Sequence, residues 1–459
     1  MMDRREALKT LGTGFGALGL AQLMQQTSWA SDPQQVKPTH FPPRAKHIIF
    51  LFLNGGPSQV DTFDPKPLLQ KYHGKALPTG NLKTERKTGN VLASPFSFRR
   101  CGNSGLEISD IFPRLGEHAD DLCVIRSMHT NMPNHTQGMF MMNLGSLQVG
   151  RPSLGSWLSY GLGTENQNLP GFVVLCPGVP VMGNQNWSSA FLPGVYQGTH
   201  IPNQERSIEG LIPHIRNTVY SSQGQREQLE LLEKVNRKHL GRIGPDAQLE
   251  ASIQSMEIAY RMQAEAPEVF DLSKEPELTR SRYGDSDFGR GCLMARRLVE
   301  RGVRMVQLYA GDGQPWDNHD DILIHRKLAI DADPAISALL HDLKSSGLFQ
   351  ETVVLIGGEF GRTPVVESGG AVKVQYGRDH NNHGFSMVLA GAGVKGGLAY
   401  GATDDFGFKA ADKPVHVHDL HATLLQLMGL DHTRLTYRYS GRDFRLTDVE
   451  GNVVRDILA

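Results

Sequence analysis

Histidine and carboxylate side chains follow or flank several apolar runs in this chain of 459 residues. Asp317 and His319 form an Asp-x-His pair after one run, Glu359 follows another, and His383 directly precedes a third. A carboxylate just after a buried strand needs a partner, since an unpaired buried charge is costly. Mixed oxygen and nitrogen donors suit Zn²⁺ or Mn²⁺, with Fe also suited, more than Ca²⁺. The predicted ligands of a divalent metal are Asp317, His319, Glu359 and His383, with His380 and Asp61 as further candidates.

A second chemical feature is the segment Asn134-His135-Thr136, which stands between an apolar run and a Met-rich helical pattern. Asn134 or Thr136 can cap that helix, and its positive end favours an anion. A polar side chain placed there can bind an ester oxyanion or attack the central atom that carries it. Thr136 is the conventional nucleophile, and His135 is the alternative, which would form a covalent phospho-intermediate.

Candidate anion-binding groups are spread along the chain. An arginine can fork onto a sulfate or phosphate group. The glycines of Asn54-Gly55-Gly56-Pro57-Ser58 permit a tight corner whose amides can face an anion. The predicted substrate-binding residues are Arg362, Arg126, Arg378, Asn54 and Ser58.

These residues need a scaffold, and the apolar runs predict it. Continuous apolar runs are typical of strands covered on both faces, as in a parallel sheet, and ligands gather at the carboxyl ends of such strands. Helical patterns such as 335–348 lie between the runs, which predicts a three-layer α/β/α sandwich with a mostly parallel sheet. The pattern at 205–285 is helical and rich in charge, and predicts a helical insertion. The predicted strands are His47–Leu53, Leu122–Ser127, Phe172–Cys176, Val303–Tyr309, Thr352–Ile356 and Phe385–Ala390.

The first thirty residues read as a twin-arginine signal peptide. Arg4 and Arg5 precede an uncharged stretch, and Ser28-Trp29-Ala30 offers a cleavage site. Residues 31–45 read as a proline-containing linker, and residues 46–459 as one domain. No later stretch reaches the roughly 20 apolar residues of a membrane span. We therefore expect a periplasmic or secreted protein.

The charge of the chain indicates which classes of binding partner to expect, and its cysteine content indicates whether disulfides form. The chain carries 47 Lys and Arg against 48 Asp and Glu, and a leader at 1–30 removes three basic and two acidic residues, leaving −2. That balance gives no reason to expect nucleic acid or a membrane surface as partner. The four cysteines lack a C-x-x-C pair and are expected to be reduced thiols in the core. The alternative is that two of them form one disulfide bridge.

The order of motifs resembles the alkaline phosphatase/sulfatase superfamily and, within it, the exported proteins of the domain of unknown function 1501 family. The resemblance implies an α/β/α sandwich whose strand ends hold one or two divalent metals, with a nucleophile at a helix start. It spans about residue 46 to the end. The motifs that carry it are NGGPSQVDTFDPKP, RSMHTNMPNHTQGMFMMNLG, PWDNHDD, VVLIGGEFGRTP, GRDHNNHGFSMVLAGAGVKGG and DLHATLLQLMGLDHTRLTYRYSGRDFRLTD.

Three positions depart from the superfamily pattern: Asn54 and Glu359 stand for aspartates, and Phe360 for a histidine. The Cys-x-Pro-Ser-Arg signature of sulfatases is absent, which argues against a formylglycine mechanism. Two functions fit. One is an exported metal-dependent hydrolase of phosphate or sulfate esters acting on a small anionic ester. The other is a binding protein that has lost turnover and holds sulfated glycans or phosphorylated ligands through its arginines.

Overall fold

The structure is a computed structural model, and it describes residues 34–213, 215, 219–244, 247–368 and 376–459. The signal peptide expected at 1–30 and the start of the linker lie outside the described residues. Most of the remaining linker, from residue 34, has no regular secondary structure before the first strand begins at His47.

The strands and helices follow the predicted alternation. The strands are β1 (His47–Phe52), β2 (Thr88–Val91), β3 (Phe98–Cys101), β4 (Leu106–Ser109), β5 (Leu122–His129), β6 (Phe172–Leu175), β7 (Thr199–Ile201), β8 (Met305–Tyr309), β9 (Thr352–Gly357), β10 (Gly361–Glu367), β11 (Arg378–Asn381), β12 (Phe385–Gly391), β13 (Leu398–Tyr400), β14 (Ala402–Thr403), β15 (Ala410–Asp412), β16 (Val415–His416), β17 (Tyr437–Tyr439) and β18 (Arg442–Phe444). The α-helices are α1 (Gln59–Thr62), α2 (Pro67–Tyr72), α3 (His135–Leu144), α4 (Leu154–Leu162), α5 (Ile208–Leu211), α6 (Ser222–Ile243), α7 (Ala247–Phe270), α8 (Glu277–Tyr283), α9 (Asp287–Glu300), α10 (Ile324–Ser346) and α11 (Val417–Leu427).

A nine-stranded sheet forms the centre of the fold, in the order β13-β5-β12-β9-β1-β8-β6-β7, with β16 also paired to β5. All its pairings are parallel except those of β12, which runs antiparallel to β5 and β9. The six predicted strands are all in this sheet. The mostly parallel α/β prediction is therefore confirmed, and the segment predicted as a helical insertion forms α5 to α8.

Both faces of the sheet are buried, which explains the continuous apolar runs. Along β1, Ile49 and Leu51 face a core shared with α9 and α10, whereas Ile48 and Phe50 face a core shared with α3, α4 and α11. Alternate side chains of a strand point to opposite faces, so a central strand must be apolar at every position. The helices on the two faces make the three layers.

A small antiparallel sheet, β11-β10-β2, follows the main sheet and was not predicted. The chain leaves β9, turns at Glu359 and enters β10, where Arg362 is paired in register with His380 of β11. The sequence suggested loops here because the strands carry arginine, aspartate and histidine rather than an apolar run. This pairing decides which histidine approaches the end of the main sheet.

Two further features concern the core and the membrane. All four cysteines are buried and unpaired, and burial raises the pKa of Cys123 and of Cys176 to about 12. In the part of the chain that the structure describes, no helix is both long enough and apolar enough to cross a membrane.

Buried histidines predict a loss of stability in acid. Burial lowers the pKa of His421 to about 3, while its Nε2 bonds to the Met142 carbonyl at 2.8 Å. A folded pKa below the unfolded value of about 6.5 gives stability that is present above pH 6.5 and is lost as pH falls. We expect the free energy of unfolding to fall by roughly 2 kcal/mol between pH 7 and pH 5 because of His421. Urea unfolding at both pH values tests this. His421→Gln should reduce the difference between the free energies of unfolding at pH 7 and pH 5. An unchanged pH dependence in that variant would contradict the role assigned to His421.

Candidate metal centre

The candidate site lies at the carboxyl edge of the main sheet, where several loops meet. His135 is the first residue of α3, which follows β5 after a short loop. Asp317 and His319 lie in the loop after β8, and His380 lies on β11. Glu359 follows β9. Four separate segments thus deliver their polar side chains to one place.

Three imidazole rings converge on one carboxylate oxygen. Oδ1 of Asp317 lies 3.3 Å from Nε2 of His135, 2.8 Å from Nε2 of His319 and 3.2 Å from Nε2 of His380. The Nε2 atoms of His319 and His380 are 3.0 Å apart. One donor atom from each of the four residues lies within 4.8 Å of all the others.

Each histidine is held from behind by a different glutamate. Nδ1 of His135 lies 2.7 Å from Oε1 of Glu359, and Nδ1 of His380 lies 2.7 Å from Oε2 of Glu85. Nδ1 of His319 contacts a carboxylate oxygen of Glu367. A carboxylate on Nδ1 holds the proton there and leaves the Nε2 lone pair available, which is the arrangement that orients metal-ligating histidines.

The backbone around the centre is fixed by buried charge. Arg362 is fully buried and donates to the carbonyls of Gly55 and Gly56 and, at 2.6 Å, to Oδ1 of Asp317. Both carboxylate oxygens of Glu359 accept from the amide of Gly55, at 3.1 and 3.2 Å. Gly55 has φ +111°, and a Cβ there would lie 2.5 Å from the amide nitrogen of Asp317, so glycine is required.

The electrostatics keep the central carboxylate charged. Burial acts to raise the pKa of Asp317, but its contacts with the three histidines and the charge of Arg362 hold it well below its usual range. Burial acts to lower the pKa of His135, but the nearby carboxylates of Asp317 and Glu359 raise it overall. The His380 bond lowers the pKa of Glu85 despite opposing desolvation.

The donor set fits a divalent cation. Three imidazole nitrogens and one carboxylate oxygen suit Zn²⁺ or Mn²⁺. Ligand atoms of a tetrahedral zinc ion stand about 3.3 Å apart, close to the 2.8–3.3 Å between Asp317 Oδ1 and the three Nε2 atoms. The buried Nε2 of His135 has no hydrogen-bond partner among the described residues, as expected of a nitrogen whose partner is an ion. His319 also joins Glu367 and Asp379 in a second, overlapping group.

Comparison with known proteins identifies the family. The family described as "Protein of unknown function (DUF1501)" matches residues 45–458. The chain belongs to this family. The predicted membership is therefore confirmed, and no curated protein matches the DUF1501 chain.

Solved structures similar to this DUF1501 chain are distant. The lipoteichoic acid synthase LtaP from Listeria monocytogenes is 10% identical with a TM-score of 0.37, covering 90% of this chain and 79% of that one. A sulfatase, PsFucS1 from Pseudoalteromonas sp., is 12% identical with a TM-score of 0.34, covering 84% and 68%. The phosphonate monoester hydrolase SpPMH from Silicibacter pomeroyi is 13% identical with a TM-score of 0.34, covering 76% and 71%.

The structure brings together only part of the predicted ligand set. Asp317, His319 and His380 meet, and Glu359 lies just behind them. His135, predicted at the nucleophile position, instead presents Nε2 to the same point.

His383 and Asp61 lie elsewhere, so their placement differs from the predicted one. His383 follows the end of β11, and its Nε2 bonds to the Lys83 carbonyl at 3.1 Å. Asp61 is fully buried and pairs with Arg378, whose Nε and Nη2 lie 2.7 and 3.1 Å from its carboxylate oxygens.

The three predicted anion-binding arginines have internal partners. Arg362 and Arg378 are fully buried, and their guanidinium groups make the hydrogen bonds described above. Arg126 donates from Nε to the Phe63 carbonyl at 2.8 Å. Arg362 and Arg378 are therefore closed to a ligand, and Nη2 of Arg126 also donates to a backbone carbonyl, that of Glu107, at 3.4 Å.

The two polar residues at the corner after β1 are also structural. The Asn54 side chain ties the end of β1 to the loop after β8, by bonds to Ala310, Gly311 and Gly313. Ser58 donates its hydroxyl to Asp61, one turn further on. Their short polar side chains satisfy local groups, so they are not placed as ligand contacts.

The predicted helix cap is present in the DUF1501 chain. Asn134 is the N-cap residue of α3, and its side-chain oxygen accepts from the Thr136 amide at 3.0 Å. Its amide nitrogen donates to Glu85 at 3.2 Å. Thr136 stays partly exposed in the first turn of α3, next to His135. The cap therefore joins the anion-favouring helix start to the candidate metal ligands.

Two residues of the site were missed by sequence reasoning. Glu85 lies in an irregular segment, Lys83–Lys87, that carries no pattern and could not have been found. Glu367 ends β10 directly after Val365 and Val366, so a carboxylate closing an apolar pair was a signal. Glu367 is almost fully buried and pairs with Arg86 at 3.0 Å.

The outer glutamates should tune the affinity for the metal. Glu85→Ala removes the acceptor on Nδ1 of His380, and loss of such a partner weakens metal binding by roughly 10–100-fold. Zn²⁺ titration against a competing chelator measures this. Glu117→Ala removes an exposed glutamate elsewhere and should bind Zn²⁺ as the unaltered protein does. Equal affinity in the two variants would show that Glu85 does not support the site.

Proposed function

We propose that the protein is a metal-dependent hydrolase of phosphate or sulfate esters, with one divalent cation held by His135, Asp317, His319 and His380. The observation that carries the proposal is the pairing of three convergent Nε2 atoms with three separate outer glutamates. A cluster formed only for stability would not need each ring oriented by its own carboxylate.

The chain's own residues would bind and orient the ester. A bound divalent cation polarises an ester oxygen and stabilises developing negative charge. Thr136 is our candidate nucleophile because it follows a ligand in the first turn of α3, where the helix end favours an anion. Its hydroxyl would take the phosphoryl or sulfuryl group and release the alcohol, and water would then restore the hydroxyl and release the anion.

We propose a single ion rather than two, because the three departures from the superfamily pattern have structural roles. Asn54 uses its side chain on the loop after β8, and Glu359 holds His135 and Gly55. Phe360 is buried, and its ring centroid lies 4.9 Å from that of His135 and 4.8 Å from that of His380. A phenyl ring in this position supports the ligand rings and supplies no donor.

The test combines metal analysis with an ester screen. We expect purified protein to hold about one divalent ion and to cleave an aryl phosphate or an aryl sulfate. A chelator should remove the activity, and Zn²⁺ or Mn²⁺ should restore it. Thr136→Ala should abolish turnover and keep the metal, whereas Thr136→Ser should retain part of the turnover. Stoichiometric metal without turnover of either ester would favour the binding-protein function.

We also propose export through the twin-arginine pathway, since Arg4 and Arg5 precede an uncharged stretch and a cleavage site. Replacing both with lysine keeps the charge and removes the recognised pair. We expect Arg4→Lys with Arg5→Lys to leave precursor in the cytoplasm, measured by fractionation and blotting of the producing cells. Normal export of the double variant would rule out this route.

A further inference from the structure

A cleft lies at the far end of α3 from the metal centre. Its volume is about 250 Å³, and it is lined by residues that include Leu144 at the end of α3 and Gly145, its C-cap. Since α3 begins at His135 and has 10 residues, its two ends are about 15 Å apart. The cleft is therefore separate from the candidate metal ligands.

Positive charge is concentrated at this cleft. Arg151 and Arg445 line it, and Asp448 is the one carboxylate among the lining residues that the structure describes. Arg442 pairs with that carboxylate, and Nε of Arg445 donates to the backbone carbonyl of Asp448. Asp448 thus already has Arg442 as its counter-charge, and Arg151 and Arg445 have no other carboxylate among the lining residues that the structure describes.

Two of these guanidinium groups share one aromatic ring. The guanidinium carbons of Arg151 and Arg442 lie 4.2 and 4.9 Å from the ring centroid of Phe444. Arg442 already has Asp448 as its counter-charge, whereas Arg151 lies over the ring without such a carboxylate partner among the described residues. Arg151 makes no hydrogen bond or ion pair with any residue that the structure describes, so its N–H donors are available to a ligand.

The other wall of the cleft is aromatic. Phe191 lines it, and its ring stacks on that of Tyr439 at 5.1 Å with 15° between the planes. The ring also lies 5.9 Å from that of Tyr437 and 5.0 Å from that of Phe444, and this aromatic group offers the cleft an apolar contact for the C–H groups of a sugar ring. The volume lies near the lower end of small-molecule sites, roughly 300–1,000 Å³, so the cleft suits one ring rather than an extended ligand.

We propose that this cleft binds an anionic saccharide unit, a sugar ring that carries a sulfate or phosphate ester. Arg151 and Arg445 contact the ester anion, and the ring packs against Phe191. The proposal goes beyond the ester hydrolysis proposed above and does not depend on it, because the cleft shares no residue with the metal centre. It places recognition of a sulfated or phosphorylated glycan at arginines other than the three predicted from the sequence.

Calorimetric titration tests the proposal, with galactose 6-sulfate and galactose 6-phosphate as probes and chelator present to prevent turnover. We expect both probes to bind, and Arg151→Gln to weaken binding roughly 10-fold or more, as loss of a charged hydrogen bond does. Arg438→Gln is the matched control, since Arg438 lies nearby on β17, pairs with Asp443 at 3.3 Å and does not line the cleft. That variant should bind as the unaltered protein does.

Three further probes decide the ligand class. Unsubstituted galactose, inorganic sulfate and phenyl sulfate should each bind at least several-fold more weakly than galactose 6-sulfate. Equal binding of inorganic sulfate would show that the ring contributes nothing, and equal binding of phenyl sulfate would exclude a sugar-specific site. Either result, or unchanged binding in Arg151→Gln, overturns the proposal. Binding should persist in His380→Ala, which separates this outcome from any failure of the metal centre.

Discussion

His380→Ala should bind Zn²⁺ roughly 100-fold or more weakly than the unaltered protein, whereas His383→Ala should bind it equally well. Loss of the hydrogen-bond partner of a ligating histidine already lowers metal affinity about 10–100-fold, and loss of a ligand lowers it further. His380 presents Nε2 to Asp317 and His319, at 3.2 and 3.0 Å, while His383 bonds to a backbone carbonyl. The two histidines are three residues apart, so the pair is a matched test.

Competition titration with a Zn²⁺-binding dye measures both affinities, and melting temperature with chelator present checks the fold. Binding should also weaken at acid pH, because protons compete with the metal for the imidazole nitrogens. Loss of metal in His383→Ala with retention in His380→Ala would reverse our assignment and restore the ligand set expected from sequence. Retention in both variants would exclude this cluster as the metal site.

The main sheet could be predicted because burial alone dictates its sequence. A strand covered on both faces has to be apolar throughout, and a run such as Thr352–Ile356, bounded by polar residues and glycines, meets that requirement. The predicted strand ends fall within a few residues of the observed ones, for example Phe385–Ala390 against β12 at Phe385–Gly391. The antiparallel direction of β12 is not encoded in such a pattern, since both kinds of interior strand are equally apolar.

The ligand set could be predicted only in part, because it depends on the β10–β11 pairing. Asp317 and His319 lie in the loop after β8 and Glu359 follows β9, so their position at the carboxyl edge follows from the sheet. The choice between His380 and His383 depends on register, since His380 pairs with Arg362 and His383 lies beyond the end of β11. β11 is polar and only four residues long, and nothing in its sequence marks the pairing.

The roles of the arginines could not be predicted from the sequence either, because they depend on which residues each arginine contacts. A buried arginine and a ligand-binding arginine have the same sequence signal, because both accompany glycines and carboxylates at strand ends. Arg378 is distinguished only by its partner, Asp61, which lies far away in the sequence. Where two predicted functional residues satisfy each other inside the protein, their contribution is to stability.

That stability contribution should be large for the Asp61–Arg378 pair. Both side chains are fully buried, and the arginine makes two bonds to the carboxylate, at 2.7 and 3.1 Å. Asp61→Ala leaves a buried guanidinium without its counter-charge, which costs ~3–5 kcal/mol of unfolding free energy. Glu351→Ala breaks a similar contact, Lys46–Glu351 at 2.9 Å, between side chains that are 46% and 42% exposed. That loss should stay within about 1 kcal/mol.

Urea unfolding of the two variants measures the difference, and metal content of the folded fraction separates the two roles assigned to Asp61. If Asp61 only balances the charge of Arg378, the folded fraction of Asp61→Ala should still bind Zn²⁺ with nearly unaltered affinity. The double variant Asp61→Leu with Arg378→Met should recover part of the stability, because no buried charge is then left unpaired. A small loss of stability together with loss of the metal would instead make Asp61 a ligand, as its position after the first strand suggested.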